Sequence, residues 1–218
     1  MSTLAQIVDR IKSNLTGGIT TDETRFEDAF IESKIHNHRA AYLSAISRQP
    51  SRDRVNDAFL QVYHVDLWEY DVECDVVKFA CPTVIQLDER HDGFFYVGHI
   101  NGLKPFMRLR TNYTALSMHS LFKKEKEIVW DYRADYDGQW YINVYRNPKL
   151  TKLLVMAIFN DPTSVPNYRK DVDQYPLDGV AEHEIVDAVS NDLLHKNIGI
   201  PDMISDSAEV NEIGRAHV

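Results

Sequence analysis

The chain has 218 residues, enough to bury a core of its own, and sets 24 lysines and arginines against 33 aspartates and glutamates. The net charge of -9 argues against a surface wrapped broadly on nucleic acid, which needs cations to displace counterions. Cys74 and Cys81 are too few for a disulfide scaffold and read as reduced, buried residues, and no apolar run approaches the ~20 residues of a membrane span.

In chain order, Leu4, Ile7, Val8, Ile11 and Leu15 recur at helical steps, with Ser2 or Thr3 as a cap and Gly17-Gly18 as a stop. Met1 to Lys12 lack the basic start and unbroken apolar stretch of a secretion signal, so the expectation is a soluble protein made inside the cell. A second helix is expected from Phe26 to Asp28 through about Ser47, its stripe formed by Ile31, Ile35, His38, Tyr42 and Ile46 and widened by Phe30, Ala41 and Ala45. Residues 1–48 therefore read as a helical hairpin joined through the Thr- and Asp-rich segment Ile19 to Arg25.

The polar stretch Gln49 to Asp57 leads into a change of period, and residues 49–159 read as an antiparallel β core, sandwich or barrel-like. Strands are expected over Phe59 to Leu67, Asp71 to Phe79 and Thr83 to Leu87, with Pro82 as a break. Asn101-Gly102 predicts a hairpin between Phe94–Ile100 and Lys104–Arg110, and Asp137-Gly138 another between Glu127–Ala134 and Gln139–Arg146, because both dipeptides suit the positive φ angles of tight turns. Leu150 to Phe159, bounded by Pro148 and Pro162, reads as a buried strand in preference to a helix. Residues 160–218 form the third part: an arm from Asn160 to Tyr175, a helix opened by Pro176 or Leu177 with Val180, Ile185, Val189 and Leu193 or Leu194 on its stripe, and an acidic tail from Pro201. The tail is either disordered or ordered on a partner. The fold class is thus α+β, and no solenoid repeat is present.

No catalytic, cofactor-binding or metal constellation emerges. His36 and His38 stand about 200° apart on a helix and cannot ligate one ion together. Asp71, Glu73 and Asp75 alternate onto one strand face, which suits either a carboxylate site or a charge-protected edge. The mixed run Lys123, Lys124, Glu125, Lys126 and Glu127 reads as a solvated turn. Neither a phosphate-cradling glycine loop nor a nucleophile elbow occurs, since the nine glycines fall at turns and helix ends. The aromatics Trp130, Tyr132, Tyr136, Trp140, Tyr141 and Tyr145 straddle one hairpin, where they either stack on a carbohydrate or base or pack across strands.

Two end segments carry a resemblance. Leu4 to Ile11, Gly17-Gly18, Asp22 to Ile31 and Arg39-Ala40-Ala41-Tyr42-Leu43 at the front, with Phe159-Asn160-Asp161-Pro162, Tyr175-Pro176-Leu177 and Ile200-Pro201-Asp202 at the back, resemble tailed-phage head–tail connector proteins, most closely the neck-ring or adaptor proteins of crAss-like phages. The middle is touched through Cys74 and Cys81-Pro82, and otherwise matches only in strand order. The resemblance implies a virion structural protein without catalysis, assembled in the host bacterial cytoplasm. Its copies would form a ring in the neck, partnered by the portal and neighbouring tail proteins, with DNA passing through unbound and no membrane involved. Placement in the arm and tail makes Tyr168, Arg169, Tyr175 and Met203 the candidates for contacts between copies. The alternative reading is a small-molecule or carbohydrate-binding β domain, or a metal-dependent hydrolase.

Overall fold

The computed structural model describes residues 2–17, 26–48, 57–66, 68–72, 75–87, 92–109, 128–136, 138–145, 147 and 149–198. Within them lie α1 (Leu4–Leu15), α2 (Asp28–Ser47), β1 (Gln61–Val65), β2 (Trp68–Asp71), β3 (Val76–Ala80), β4 (Phe94–Gly98), β5 (Met107–Arg108), β6 (Val129–Ala134), β7 (Trp140–Tyr145), β8 (Leu153–Ala157) and α3 (Gly179–Ile198). The α+β class read from the sequence is the class of the structure.

α1 begins with a capping box, in which the Thr3 hydroxyl accepts from the Gln6 amide and the Gln6 side chain accepts from the Thr3 amide. Leu4, Ile7, Val8 and Ile11 are buried as the periodicity requires. On α2 the buried positions are Ile31, Ile35, Arg39, Leu43 and Ile46, so Arg39 and Leu43 hold the centre that the sequence reading gave to His38 and Tyr42. Ala41 and Ala45 face solvent. α3 starts at Gly179, three residues after Pro176, where the Asp178 carboxylate accepts from the Ala181 amide at 2.8 Å. Its buried positions include Ala181, Ile185, Val186, Val189 and Leu193, while Val180 is exposed.

All three helices contribute to one apolar core, closed by Phe59, Ile85, Leu87, Ile158, Tyr175 and Leu177. α1 and α2 pack chiefly on α3, so the expected hairpin is two sides of a three-helix group. The N-terminal residues are stapled to α3: the Ser2 hydroxyl donates to Glu182 at 2.7 Å, the Ser2 amide to the same carboxylate at 3.2 Å, and Arg10 at 2.8 Å.

Two sheets form a sandwich around a second core. One has the order β1-β8-β4 and the other β2-β3-β7-β6-β5. Tyr63, Val97, Leu153 and Val155 from the first meet Phe79, Trp130, Ile142 and Val144 from the second. β8 is the central strand of its sheet, antiparallel to β1 (Gln61 opposite Ala157) and to β4 (Gly98 opposite Leu154), which explains its nearly continuous apolar sequence.

The β6–β7 hairpin forms as read, Ala134 pairing with Trp140 and Gly138 turning at φ 80°. The Asn101-Gly102 turn also forms, with Gly102 at φ 69°, but its return limb makes one bridge, Gly98 to Pro105, before crossing to the other sheet. There β5 pairs with β6 in parallel, which makes that sheet mixed and departs from the antiparallel expectation. The stretch expected as one strand over Asp71 to Phe79 is broken, because β2 ends at Asp71, β3 begins at Val76, and Val72 and Asp75 between them are in turn conformation, Asp75 with φ 51°. Thr83 to Leu87 makes only isolated bridges, Val84 to Phe159 and Gln86 to Asp92. Phe59 sits in a short 3-10 turn ahead of β1.

Candidate functional site

The most concentrated polar arrangement lies where α2 meets the arm, residues 160–175. Arg39 is fully buried, and its guanidinium donates to three backbone carbonyls from separate parts of the chain: Phe159 at 2.8 Å, Pro176 at 3.1 Å and Phe59 at 3.3 Å. Its charge lies 5.8 Å from the centre of the Tyr175 ring. Burial pulls the Arg39 pKa down, against the opposing effect of Tyr175, Tyr168 and Asp161. The planar fork suits this task because one side chain satisfies acceptors in three directions.

One helical turn earlier, His36 Nδ1 lies 2.7 Å from the Tyr175 hydroxyl and Nε2 lies 3.4 Å from an Asp161 carboxylate oxygen. Burial lowers the His36 pKa, with the Arg39 charge in the same direction and Asp161 and Glu32 opposing. The neutral ring satisfies both neighbours when Nδ1 accepts from Tyr175 and Nε2 donates to Asp161. Asp161 also accepts from the Thr163 amide at 2.8 Å and the Thr163 hydroxyl at 2.7 Å. Burial pushes the Tyr175 phenol above its usual range, so it stays protonated. The cluster clasps the arm to α2 and spends its polar atoms internally; a substrate reaches neither Arg39 nor Tyr175.

Beside this clasp, a cleft of about 250 Å³ runs between β1 and the arm, lined by Gln61, Val62, Val165, Pro166, Tyr168 and Asp173 among others. Asn167 in its wall takes φ 69°.

Of the residues read as contacts between copies, Tyr175 is 1% exposed and is spent inside the chain, because its ring closes the helical core and its hydroxyl bonds His36. Tyr168 is partly buried at the cleft. Arg169 is exposed, and its backbone and side chain both donate to Asp173. Met203 lies outside the described residues, as do the tail, Cys74, Glu73 and the Lys123 to Glu127 run. His36 and His38 point to different elements, His38 lying 4.0 Å from Asp192 on α3. Asp71 ends β2 and Asp75 sits in the turn, where it accepts from the Tyr70 hydroxyl at 2.9 Å, so the two do not share a strand face. Among the described residues no group of three or more His, Cys, Asp or Glu is placed to hold a metal ion.

Of the hairpin's aromatics, Trp130 and Tyr132 pack on the core of the sandwich with Trp140 against Tyr132, while Tyr145 bonds Asp131 on the other face and Tyr136 is exposed at the turn. Trp130 is 4% exposed, meets Phe94 edge-on at 5.1 Å and donates its indole N–H to the Phe106 carbonyl at 3.2 Å. Tyr132 stacks on Trp140 at 4.7 Å, and its hydroxyl accepts from the Val84 amide while donating to the Pro82 carbonyl, both at 3.1 Å. Arg108 caps this group, its guanidinium over Phe94 and Trp130 and paired with Asp92. Cys81 is buried, and desolvation raises its thiol pKa far out of the reactive range.

Large apolar side chains nevertheless remain outside. Trp68 (43% exposed) and Tyr70 lie on β2, an edge strand, and Val72 (75%) follows in the turn; Leu103 (83%) and Tyr136 cap two other turns. Among the described residues no helix is long and apolar enough to cross a membrane. No protein-family model matches the sequence, and no curated protein is significantly similar to it.

Proposed function

We propose that this chain is a structural protein of a tailed-phage virion, whose copies assemble into a ring in the portal-proximal neck and join the capsid portal to the tail. The observation that carries the reading is the set of apolar side chains at the rim of the sandwich: Trp68, Tyr70 and Val72 along one sheet edge and Leu103 on another turn. Monomers seldom leave such residues together on an edge strand, whereas a heterologous ring contact covers them in every copy. The resemblance of the two end segments to neck proteins supports the same role. The net charge of -9 suits a wall past which DNA moves without adhering.

The alternative of a carbohydrate platform loses ground because Trp130 and Tyr132 face the core. Arg169 remains a candidate contact in the arm, and the tail from Pro201 a candidate for ordering on a neighbour. The test is electron cryo-microscopy of this chain co-expressed with its portal. A ring seated on the portal supports the role, and a free monomer absent from virions overturns it. Deletion of residues 201–218 separates the tail's part: assembly fails while the β core keeps its melting transition.

A further inference from the structure

The turn that leads out of β4 holds Asn101-Gly102, the one place in the chain where asparagine precedes glycine. Asn101, Gly102, Leu103 and Lys104 are all exposed. The legs of the turn are pinned, because the Phe106 amide donates to the Val97 carbonyl at 2.8 Å and the Tyr96 hydroxyl donates to the Lys104 carbonyl at 3.1 Å. At the tip the Leu103 amide donates to Asn101 Oδ1 at 3.4 Å, an Asx turn that folds the asparagine side chain over Gly102. That closure sets Asn101 Cγ beside the Gly102 nitrogen. Gly102, at φ 69° and with no Cβ, leaves its nitrogen open to approach. One contact opposes reaction: the Gly102 amide donates to the His99 carbonyl at 2.9 Å, and this bond has to open first.

We propose that Asn101 is a site of spontaneous deamidation, in which water replaces the side-chain nitrogen. The Gly102 nitrogen gives its proton to hydroxide and bonds to Asn101 Cγ; the Cγ–Nδ2 bond breaks, and Nδ2 leaves as ammonia with a proton taken from water. Negative charge develops on Oδ1 in this step, and the Leu103 amide faces that oxygen. Water then opens the five-membered imide. Cleavage between its nitrogen and Cγ leaves aspartate, and cleavage between its nitrogen and the Asn101 carbonyl carbon leaves isoaspartate, whose main chain runs through Cγ. The sum is one water consumed and one ammonia released, with no change of oxidation state. Two aspartates that also precede glycine are held. Asp92 is paired with Arg108, and its neighbour Gly93 is buried with its amide on the Ile85 carbonyl at 2.8 Å. Asp178 accepts from the Ala181 amide at 2.8 Å at the start of α3. The new carboxylate at residue 101 stands between Ile100 and Leu103, 49% and 83% exposed, so the modification places a charge in an apolar part of the rim. The chemistry does not depend on the ring role.

The test incubates the full chain in mildly alkaline buffer beside a synthetic peptide of residues 97–107 and follows both by peptide mass spectrometry. A gain of one mass unit at Asn101, ahead of every other asparagine in the protein, is expected. The bond from the Gly102 amide to the His99 carbonyl should slow the protein relative to the peptide by about tenfold, the worth of one hydrogen bond that has to open. Asn101→Gln is expected to lose the gain, because the same attack would have to close a six-membered ring. An Asn101 still unmodified after about ten half-lives of the peptide overturns the proposal, since a tenfold slowing leaves only half of it intact by then. So does faster conversion at another asparagine, or a gain that persists at the parent's rate in Asn101→Gln.

Discussion

The Tyr175 hydroxyl lies 2.7 Å from Nδ1 of His36, so a phenol at the end of the arm and an imidazole on α2 hold each other inside the protein. The contact is written for a neutral ring. In the folded state burial, reinforced by Arg39, depresses the His36 pKa below 6.5 despite Asp161 and Glu32, whereas the unfolded ring titrates near that value. The unfolded state therefore binds more protons than the folded one in this range. The stability contributed by the neutral ring is complete above the unfolded pKa and is lost as pH falls through the depressed folded value. We expect the melting temperature to drop between about pH 7.5 and pH 5.5, with a shallower drop in His36→Gln. Equal slopes in the two proteins would remove His36 from this role.

Arg39→Met leaves the carbonyls of Phe59, Phe159 and Pro176 without their donor. Buried acceptors stripped of a partner cost about 1–3 kcal/mol each, so the loss should reach about 3 kcal/mol or more in urea unfolding. Arg39→Lys recovers only part, because an ammonium cannot reach three acceptors in three directions. A loss of less than about 1 kcal/mol for the methionine variant would show that the carbonyls find other donors.

Trp130 and Trp68 separate the core from the rim. Trp130→Ala should destabilise the fold by about 3–5 kcal/mol, since it empties a site between the two sheets. Trp68→Ser should change stability by no more than about 0.5 kcal/mol and yet impair assembly with the portal. If Trp68→Ser assembles as well as the parent, the β2 edge is not a contact between copies.

Glu182 accepts from both the amide and the hydroxyl of Ser2 and from Arg10. Burial would raise its pKa, but the Ser2 bonds and the Arg10 charge outweigh it and hold the carboxyl below 4.5. Its contribution is present above the unfolded pKa and disappears as pH falls through the depressed value. Glu182→Gln should therefore speed hydrogen exchange across α1 at neutral pH, and the difference from the parent should vanish in acid. Unchanged exchange in α1 would mean that the apolar face alone anchors it.

The elements most legible in the sequence are those whose signals are local. α1 carries its stripe, cap and stop within 17 residues, and β8 is an apolar run between prolines. Arg39 was missed because charged residues are discounted on an apolar stripe, although Ile31, Ile35, Arg39 and Leu43 share a four-residue spacing that placed it at the centre. The turn between β2 and β3 carries neither glycine nor proline, and the alternation of Asp71 and Asp75 hides it. The parallel pairing of Met107 with Val129 depends on tertiary packing, which no short window contains. The cleft is likewise invisible along the chain, since Gln61 and Tyr168 meet only after the arm folds over β1.

The staple between Ser2 and Glu182 has a consequence for how the protein is made. α1 and α2 leave the ribosome first, yet the helix they pack on is translated only after the whole sandwich. At about 5–20 residues per second, Ile31 and Ile35 wait on the order of ten seconds for Leu193 to be synthesised. During that interval the β core can close by itself while two apolar helices remain uncovered at its N-terminal side. The helical layer therefore closes only after the sandwich has been translated, and the nascent chain is most vulnerable to aggregation just before α3 emerges.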